Sequence, residues 1–283
     1  MLLRTMTVVA VLLSAVSTAH ASFITAIDQF TVTKNGSAFF SDSFSDGVAP
    51  PSAPNFSGGN PASYSVFGTS QTETGGKYYM DSALGGYTNA GDGTARLRNI
   101  NTLLTNTNPA DTITGLKPNH TFTVSGLFDL VPTPVARDGY GIALKDTTGP
   151  APGSPTAGQV WSLFVGRGGN NVDGIFLILQ DYTAQTIVST AYSAIDWSHE
   201  QILVKFDRDN TANNLAHATW QYYDGGAANG GVNVLGDATI FQSQSWVRTD
   251  FFTNQETPVI PQPAALLLVG AGLALVRVAR RRV

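Results

Sequence analysis

Gln201-Ile-Leu-Val-Lys-Phe-Asp207 sets Ile202, Val204 and Phe206 on one face of an extended chain. Ala216-His-Ala-Thr-Trp-Gln-Tyr222 does the same, with Ala218, Trp220 and Tyr222 opposing His217, Thr219 and Gln221. A period of two, apolar against polar, is the pattern of a strand with one face in a core and one in water. Thr121-Phe-Thr-Val-Ser125 repeats it through Phe122 and Val124. Between Gly174 and Tyr182 the alternation gives way to an unbroken apolar centre, Ile175 to Leu179, which predicts a strand inside a sheet.

The punctuation agrees with strands. The 283 residues include 29 Gly and 14 Pro, and only 13% are charged. Asp-Gly pairs begin at Asp46, Asp92, Asp138, Asp173 and Asp224, and Asn35-Gly36 and Asn229-Gly230 add two more pairs that favour the positive φ of tight turns. The body reads as about a dozen short strands with no amphipathic helix. An antiparallel set of that size closes as a β-sandwich or jelly roll. No internal repeat suggests a propeller, and the Pro- and Gly-rich stretches Gly47 to Pro61 and Thr147 to Gly158 are short enough to be loops.

The ends have a different character. Arg4, then an apolar run from Met6 to Val16, then Ala19-His20-Ala21, has the n-region, h-region and small-x-small cleavage pattern of a secretory signal. Ala19 and Ala21 define the cleavage site and Ser22 the mature start. A short membrane anchor is the competing reading. At the other end, Pro261-Gln262-Pro263 precedes an apolar run from Ala264 to Val276, followed by Arg277 and Arg280-Arg281-Arg282. That run predicts a single hydrophobic helix, shorter than a full span of roughly 20 residues. The arginines favour the cytoplasmic side. The expected organisation is therefore a signal peptide at 1–21, a β-sandwich domain at 22–257 and a sorting or anchor segment at 258–283.

The tail resembles the PEP-CTERM sorting signal in its Pro-x-Pro motif, apolar helix and terminal arginine cluster, with Gln262 where the family usually has Glu. The resemblance implies an exported protein of a Gram-negative bacterium that makes exopolysaccharide. Signal peptidase and then exosortase would act on it during export, with transient or permanent membrane insertion by the C-terminal helix. A simple C-terminal anchor gives the same localisation, the cell envelope or extracellular matrix. Phe39-Phe-Ser-Asp-Ser-Phe-Ser-Asp-Gly47 is similar to the first strand of concanavalin-like, laminin-G-type jelly rolls. Such folds host glycosidases, lyases, lectins and structural modules, so function rests on the residues.

Several classes lack their residues. There is no Cys, so thiol nucleophiles and thiolate metal sites are excluded. Five of the 16 basic residues are Arg4, Arg277, Arg280, Arg281 and Arg282, so 11 face 20 acidic ones in the body, a balance unsuited to nucleic acid. A retaining glycosidase needs two carboxylates about 5 Å apart. The Glu residues, Glu73, Glu200 and Glu256, are isolated. No Gly-x-Ser-x-Gly elbow is present, and His120, His199 and His217 read as ordinary strand or surface residues. The expectation is a protein without catalytic residues. The alternatives are a secreted carbohydrate-active enzyme built from distant Asp residues and a protein-binding adhesin.

Two sets of residues remain as candidates. Calcium suits clustered oxygens, here Asp42 with Asp46 and Asp207 with Asp209, although neither pair has the spacing of a full calcium loop and turn or capping roles account for the same residues. Trp161, Trp197, Trp220 and Trp246 could build either a core or a sugar-stacking surface, and a core role fits most of them, Trp220 above all. In Tyr78-Tyr79 and Tyr222-Tyr223, one ring of each pair must face outward. Tyr79 and Tyr223 are assigned to a polysaccharide-binding surface, with Tyr78 and Tyr222 as alternates.

Overall fold

A computed structural model of the chain describes residues 23–45, 47, 63–67, 71–81, 86–88, 95–104, 116–133, 136–148 and 157–256. The signal-peptide expectation with Ala19 and Ala21, the sorting motif Pro261, Gln262, Pro263 and Arg280 to Arg282, the expected C-terminal helix, and Asp46 all lie outside the described residues. So do Asp92 and most of the two expected loops.

The described residues are all-β and hold no helix. They form two antiparallel sheets, each of eight strands. In sheet A, β1 (Ile24–Lys34) lies between β8 (Phe122–Asp129) and β5 (Lys77–Asp81). Outward from β8 run β13 (Gln201–Arg208), β14 (Leu215–Asp224) and the edge strand β15 (Ala227–Thr239). β4 (Gln71–Thr74) follows β5, and β2 (Ser37–Asp42) pairs with the far half of β1. Sheet B runs β12 (Thr186–Ala194), β11 (Asp173–Asp181), β10 (Ala157–Arg167), β9 (Gly139–Thr148), β16 (Arg248–Glu256), β7 (Ala95–Leu104) and β3 (Ser63–Phe67). β6 (Gly86–Thr88) pairs with β7.

The alternating stretches form strands for the reason their pattern gives. In β8 every second residue from Phe122 is buried, and β13 buries Ile202, Val204 and Phe206 against the same interior. That interior is shared by both sheets. Phe30, Phe40, Tyr78, Phe128 and Phe206 from sheet A meet Tyr140, Ile142, Leu163, Ile175 and Phe251 from sheet B in one buried cluster. Phe30 and Phe251 stand 5.1 Å apart between ring centres, and Phe128 and Tyr140 5.5 Å. The result is a sandwich-like arrangement with an aromatic centre, in which each fully buried ring is worth about 3–5 kcal/mol against truncation to Ala. Trp161 and Trp220 belong to this core. Trp161 Nε1 also donates to the Thr239 carbonyl at 2.8 Å, tying β10 to the end of β15.

Two local expectations are corrected. Asn35-Gly36, with φ of 51° and 74°, and Gly225-Gly226, after Asp224, do turn hairpins. Asp138-Gly139 and Asp173-Gly174 instead open β9 and β11, and Asn229-Gly230 sits within β15 where the register to β14 shifts. The Phe39 to Gly47 stretch holds β2, the hairpin partner of β1, and not the first strand. Beyond Asp42, Phe44 takes a φ of 49° and buries its ring against Tyr78. The expectation of a strand inside a sheet holds for β11, which lies between β10 and the edge strand β12.

Candidate ligand-binding groove

Sheet B has a second apolar face. Its inward residues fill the shared core, yet Ala143, Val160, Phe164, Phe176, Tyr182 and Phe252 form a separate buried cluster on the other side. The strand registers set these residues in transverse rows. One row runs Phe252, Gly141, Phe164, Phe176, Tyr192 across five strands. The next runs Asn254, Gly139, Gly166, Gly174, Ala194. On the other flank lies Asp250, Ala143, Ser162, Ile178, Ser189.

The glycine row makes room for the aromatic row. A Cβ on Gly139 would lie 2.3 Å from Phe164 Cζ, and one on Gly174 would lie 2.3 Å from Tyr192 Cε2. The rings therefore lean over bare backbone, the close approach that a strand glycine permits. Ring centres are 6.1 Å apart for Phe164 and Phe176 and 5.1 Å for Phe176 and Tyr192. Their planes are inclined by 56° and 43°, so the rings form a trough instead of a flat platform.

Over this floor lies a groove of about 730 Å³. Ser162, Gln180 and Ser189 line it beside the rings, and Arg137, Arg167 and the loop from Gly168 to Val172 close one end. Internal bonds brace that loop: Gly168 N–H donates to the Val172 carbonyl at 2.8 Å, and Asn171 sits at a φ of 62°. Asp173 accepts from Arg167 Nε at 2.7 Å and from Trp197 Nε1 at 3.2 Å. The Arg167 bond, chiefly, holds the Asp173 carboxyl below its usual range, against the opposing effect of burial. Tyr192 Oη donates to the Asp173 carbonyl at 3.2 Å, which fixes the ring at the open side of the trough. The described lining residues offer aromatic faces, hydroxyls, amides and two guanidiniums, and no Asp or Glu. Such a set is chemically suited to a ligand with apolar faces and a hydroxyl rim.

The residues selected from sequence lie elsewhere. Tyr79 and Tyr223 do point outward from sheet A, both half-buried, while Tyr78 is in the core. Tyr222 stacks on His199 at 4.0 Å, and its hydroxyl accepts the Asp196 N–H at 2.7 Å. Tyr223 pairs with Gln201, Gln201 with Asp129, and Tyr79 with Ala26, so the two outward rings fall in one row. Four strand spacings, about 19 Å, separate them. An ionic cluster fills the gap. Lys77 Nζ contacts Asp28 at 3.2 Å and Asp129 at 2.5 Å, and Gln201 Nε2 donates to both carboxylates. Asp28 and Asp129 are thus paired carboxylates, bridged by a cation on an open sheet face.

The calcium candidates serve the protein's own donors. Asp42 Oδ1 accepts the Phe44 N–H at 2.9 Å, an Asx turn. Asp207 accepts from Thr123 Oγ1 at 2.6 Å, and Asp209 lies 3.7 Å from His217 Nε2. Asp42 pairs with Phe30, whereas the Asp207 row passes through Thr123 to Thr33, so the structure does not bring the two sets together. Among the described residues no group of three or more His, Asp or Glu is placed to hold a metal ion.

No family model, curated protein or solved structure matches this chain.

The groove escaped sequence reading because its rings hide in runs that resemble core. Phe176 and Ile178 sit within the Ile175 to Leu179 stretch, and Phe164 within Trp161-Ser-Leu-Phe-Val165. A strand apolar on both faces, in a body whose sequence shows no amphipathic helix to cover it, was the available clue. Interior glycines at 139, 141, 166 and 174 were the second.

Proposed function

We propose that this chain is a non-enzymatic, exported protein of the envelope or extracellular matrix of a Gram-negative bacterium, which binds glycan along the outer face of sheet B. In this reading its body is a concanavalin-like jelly roll, sorted through the C-terminal tail. The observation that carries the binding function is the aromatic trough of Phe164, Phe176, Tyr192 and Phe252 beneath a groove edged by Ser162, Gln180 and Asn254. Sugars present apolar C–H faces to rings and hydroxyls to amides, and the trough supplies both kinds of partner. The tail resemblance supports the site of action, and the chemistry of the described lining supports retention of the ligand without cleavage.

The test uses the full chain and exopolysaccharide extracted from the producing bacterium. Saturable binding that weakens about fivefold to tenfold in Tyr192→Ala is expected, since this ring is 49% exposed and its loss leaves the core intact. Absence of binding, or unchanged binding in Tyr192→Ala, refutes the groove as the site. Release of new reducing ends refutes the non-enzymatic reading. Terminal-peptide mapping of protein from the host tests sorting: a chain from Ser22 to near Pro263 is expected, and one that begins at Met1 and retains Arg280 to Arg282 overturns it.

A further inference from the structure

We infer that the chain pairs with a second copy of itself along one flank of the sandwich, β15 against β15 and β12 against β12, in a two-fold dimer. The inference is independent of the glycan reading above, and its test involves no sugar.

The two flanks are built differently. Among the described residues, one ends in β4, four residues that include Glu73, and in β3, five residues. Edges so short or charged do not invite a new strand. The other flank ends in β15, thirteen residues, and in β12, nine. Neither of these strands carries Lys, Arg, Glu or Pro, and their single charge, Asp237, has its Oδ1 2.6 Å from His217 Nδ1 on β14. Four of the six large hydrophobic side chains exposed among the described residues stand on these two strands: Val188 and Tyr192 at 49% each, Val232 at 58% and Val234 at 74%. Every residue from Ala227 to Val234 is exposed.

The two open edges form one surface. A Cβ on Gly236 of β15 would lie 3.3 Å from the Ala191 Cβ of β12, so the strands meet across the sandwich. A foreign peptide strand would use a single edge. A second copy uses both, because one two-fold rotation about an axis normal to the sheets sets β15 beside β15 and β12 beside β12, each pair antiparallel. At about 3.4 Å per residue, nine paired residues give a flank about 30 Å long, and two sheets about 10 Å apart with their outer side chains make it about 20 Å deep. That is about 600 Å² on each copy, the lower end for a specific dimer. Bulges weaken the contact further. β15 shifts register twice against β14, and β12 once against β11, which breaks a flat ladder into short ones. The product is a reversible dimer with a Kd of about 10–100 μM. It does not grow into a fibre, because the two-fold contact uses both open edges and the opposite flank is blunted. The rotation leaves the outer faces of sheet B on one side, and each aromatic row ends at Tyr192 on its edge strand. On the glycan reading, the two troughs then run toward each other and one polymer can lie in both.

The test is analytical ultracentrifugation of the purified full chain at concentrations from well below to well above that Kd. The wild type should pass from monomer to dimer and stop there. Val234→Lys on β15 and Val188→Lys on β12 place a charge on each edge, and each should raise the Kd at least about tenfold. Ile24→Lys should leave it unchanged, since Ile24 is 54% exposed on β1, which β8, β13 and β14 separate from the flank. All three substituted side chains are exposed, so thermal melts at a concentration where the wild type is monomeric should agree within about 2 °C, which separates a lost dimer from a lost fold. A wild type that stays monomeric throughout, a dimer that survives either flank substitution, or one that Ile24→Lys disrupts equally overturns the inference. Association that climbs past the dimer and survives both flank substitutions also overturns it and assigns self-association to the apolar ends of the chain. None of these outcomes bears on whether Tyr192→Ala weakens glycan binding, so the two readings fail separately.

Discussion

Gly139→Ala tests whether the trough is built on bare backbone. The new methyl carbon would lie 2.3 Å from Phe164 Cζ, 2.6 Å from Phe164 Cε2 and 2.4 Å from the Val165 carbonyl oxygen. Carbon atoms rest about 3.5–4.0 Å apart, so the ring must retreat by more than about 1 Å. Phe164 is 5% exposed and has Phe176 beside it, so a retreat either presses on Phe176 or pushes the ring up into the groove. The Val165 oxygen belongs to β10, which is paired on both sides and cannot shift alone. Overpacking of this kind costs about 3 kcal/mol, the upper part of its usual range. For a domain of this size that is a fall of about 6–12 °C in Tm. Urea unfolding and thermal melts of the full chain give both numbers. Phe164→Leu removes the outer ring atoms, so Gly139→Ala should cost less in that background, with a coupling of about 1 kcal/mol or more. A Gly139→Ala cost below about 0.5 kcal/mol, or strict additivity with Phe164→Leu, would refute the account of the glycine row.

Three further outcomes are expected. Lys145 and Asp250 form an ion pair on the outer side of sheet B with side chains 10% and 2% exposed, so Asp250→Ala alone should cost about 3–5 kcal/mol while Lys145→Met with Asp250→Leu restores most of it, by urea titration. His217 has its pKa raised, first by its bond to Asp237, with burial opposing and Asp209 and Asp207 adding charge. Its stabilising contribution is complete below the unfolded value of about 6.5 and is lost as pH rises through the folded value, so Asp237→Asn should flatten stability between about pH 6 and 8. Asp224 is drawn down to about 2 by Asn229, then by the Glu200 N–H and His199. That contribution is present above the unfolded value of about 3.9 and disappears as pH falls through the folded one, so Asn229→Ala should make acid unfolding begin at higher pH, as followed by Trp fluorescence.

Much of sheet A was legible because its strands obey one rule. In β8, β13 and β14 one face is oily and the other wet, so Phe122, Val124, Val204, Phe206 and Trp220 declare their orientation. Sheet B breaks that rule. β10 and β11 are buried on both sides, and periodicity cannot say which of two apolar faces meets the other sheet. The Asp-Gly pairs misled for a related reason. At Asp224 the pair leads into a hairpin where φ must be positive, whereas at Asp138 and Asp173 the glycine is needed for its missing side chain. Local sequence does not separate these two uses. Tyr79 and Tyr223 face outward, but outwardness alone does not lead to a concave surface. Arg137 had no sequence mark, since its left-handed backbone depends on Arg167 and Asn254, which are 30 and 117 residues away.

The position of β16 bears on how the chain can be made. This last described strand is not an edge. It lies between β9 and β7, pairing with residues more than a hundred positions earlier. Until Arg248 to Glu256 have left the ribosome, β9 and β7 each expose an unpaired rim, and sheet B exists as two halves. Pairings of such long sequence separation form late and slowly. The chain therefore spends its synthesis as a sticky intermediate whose open strands can recruit wrong partners. A chaperone, or passage in an unfolded state, would keep it productive until the final strand closes the gap.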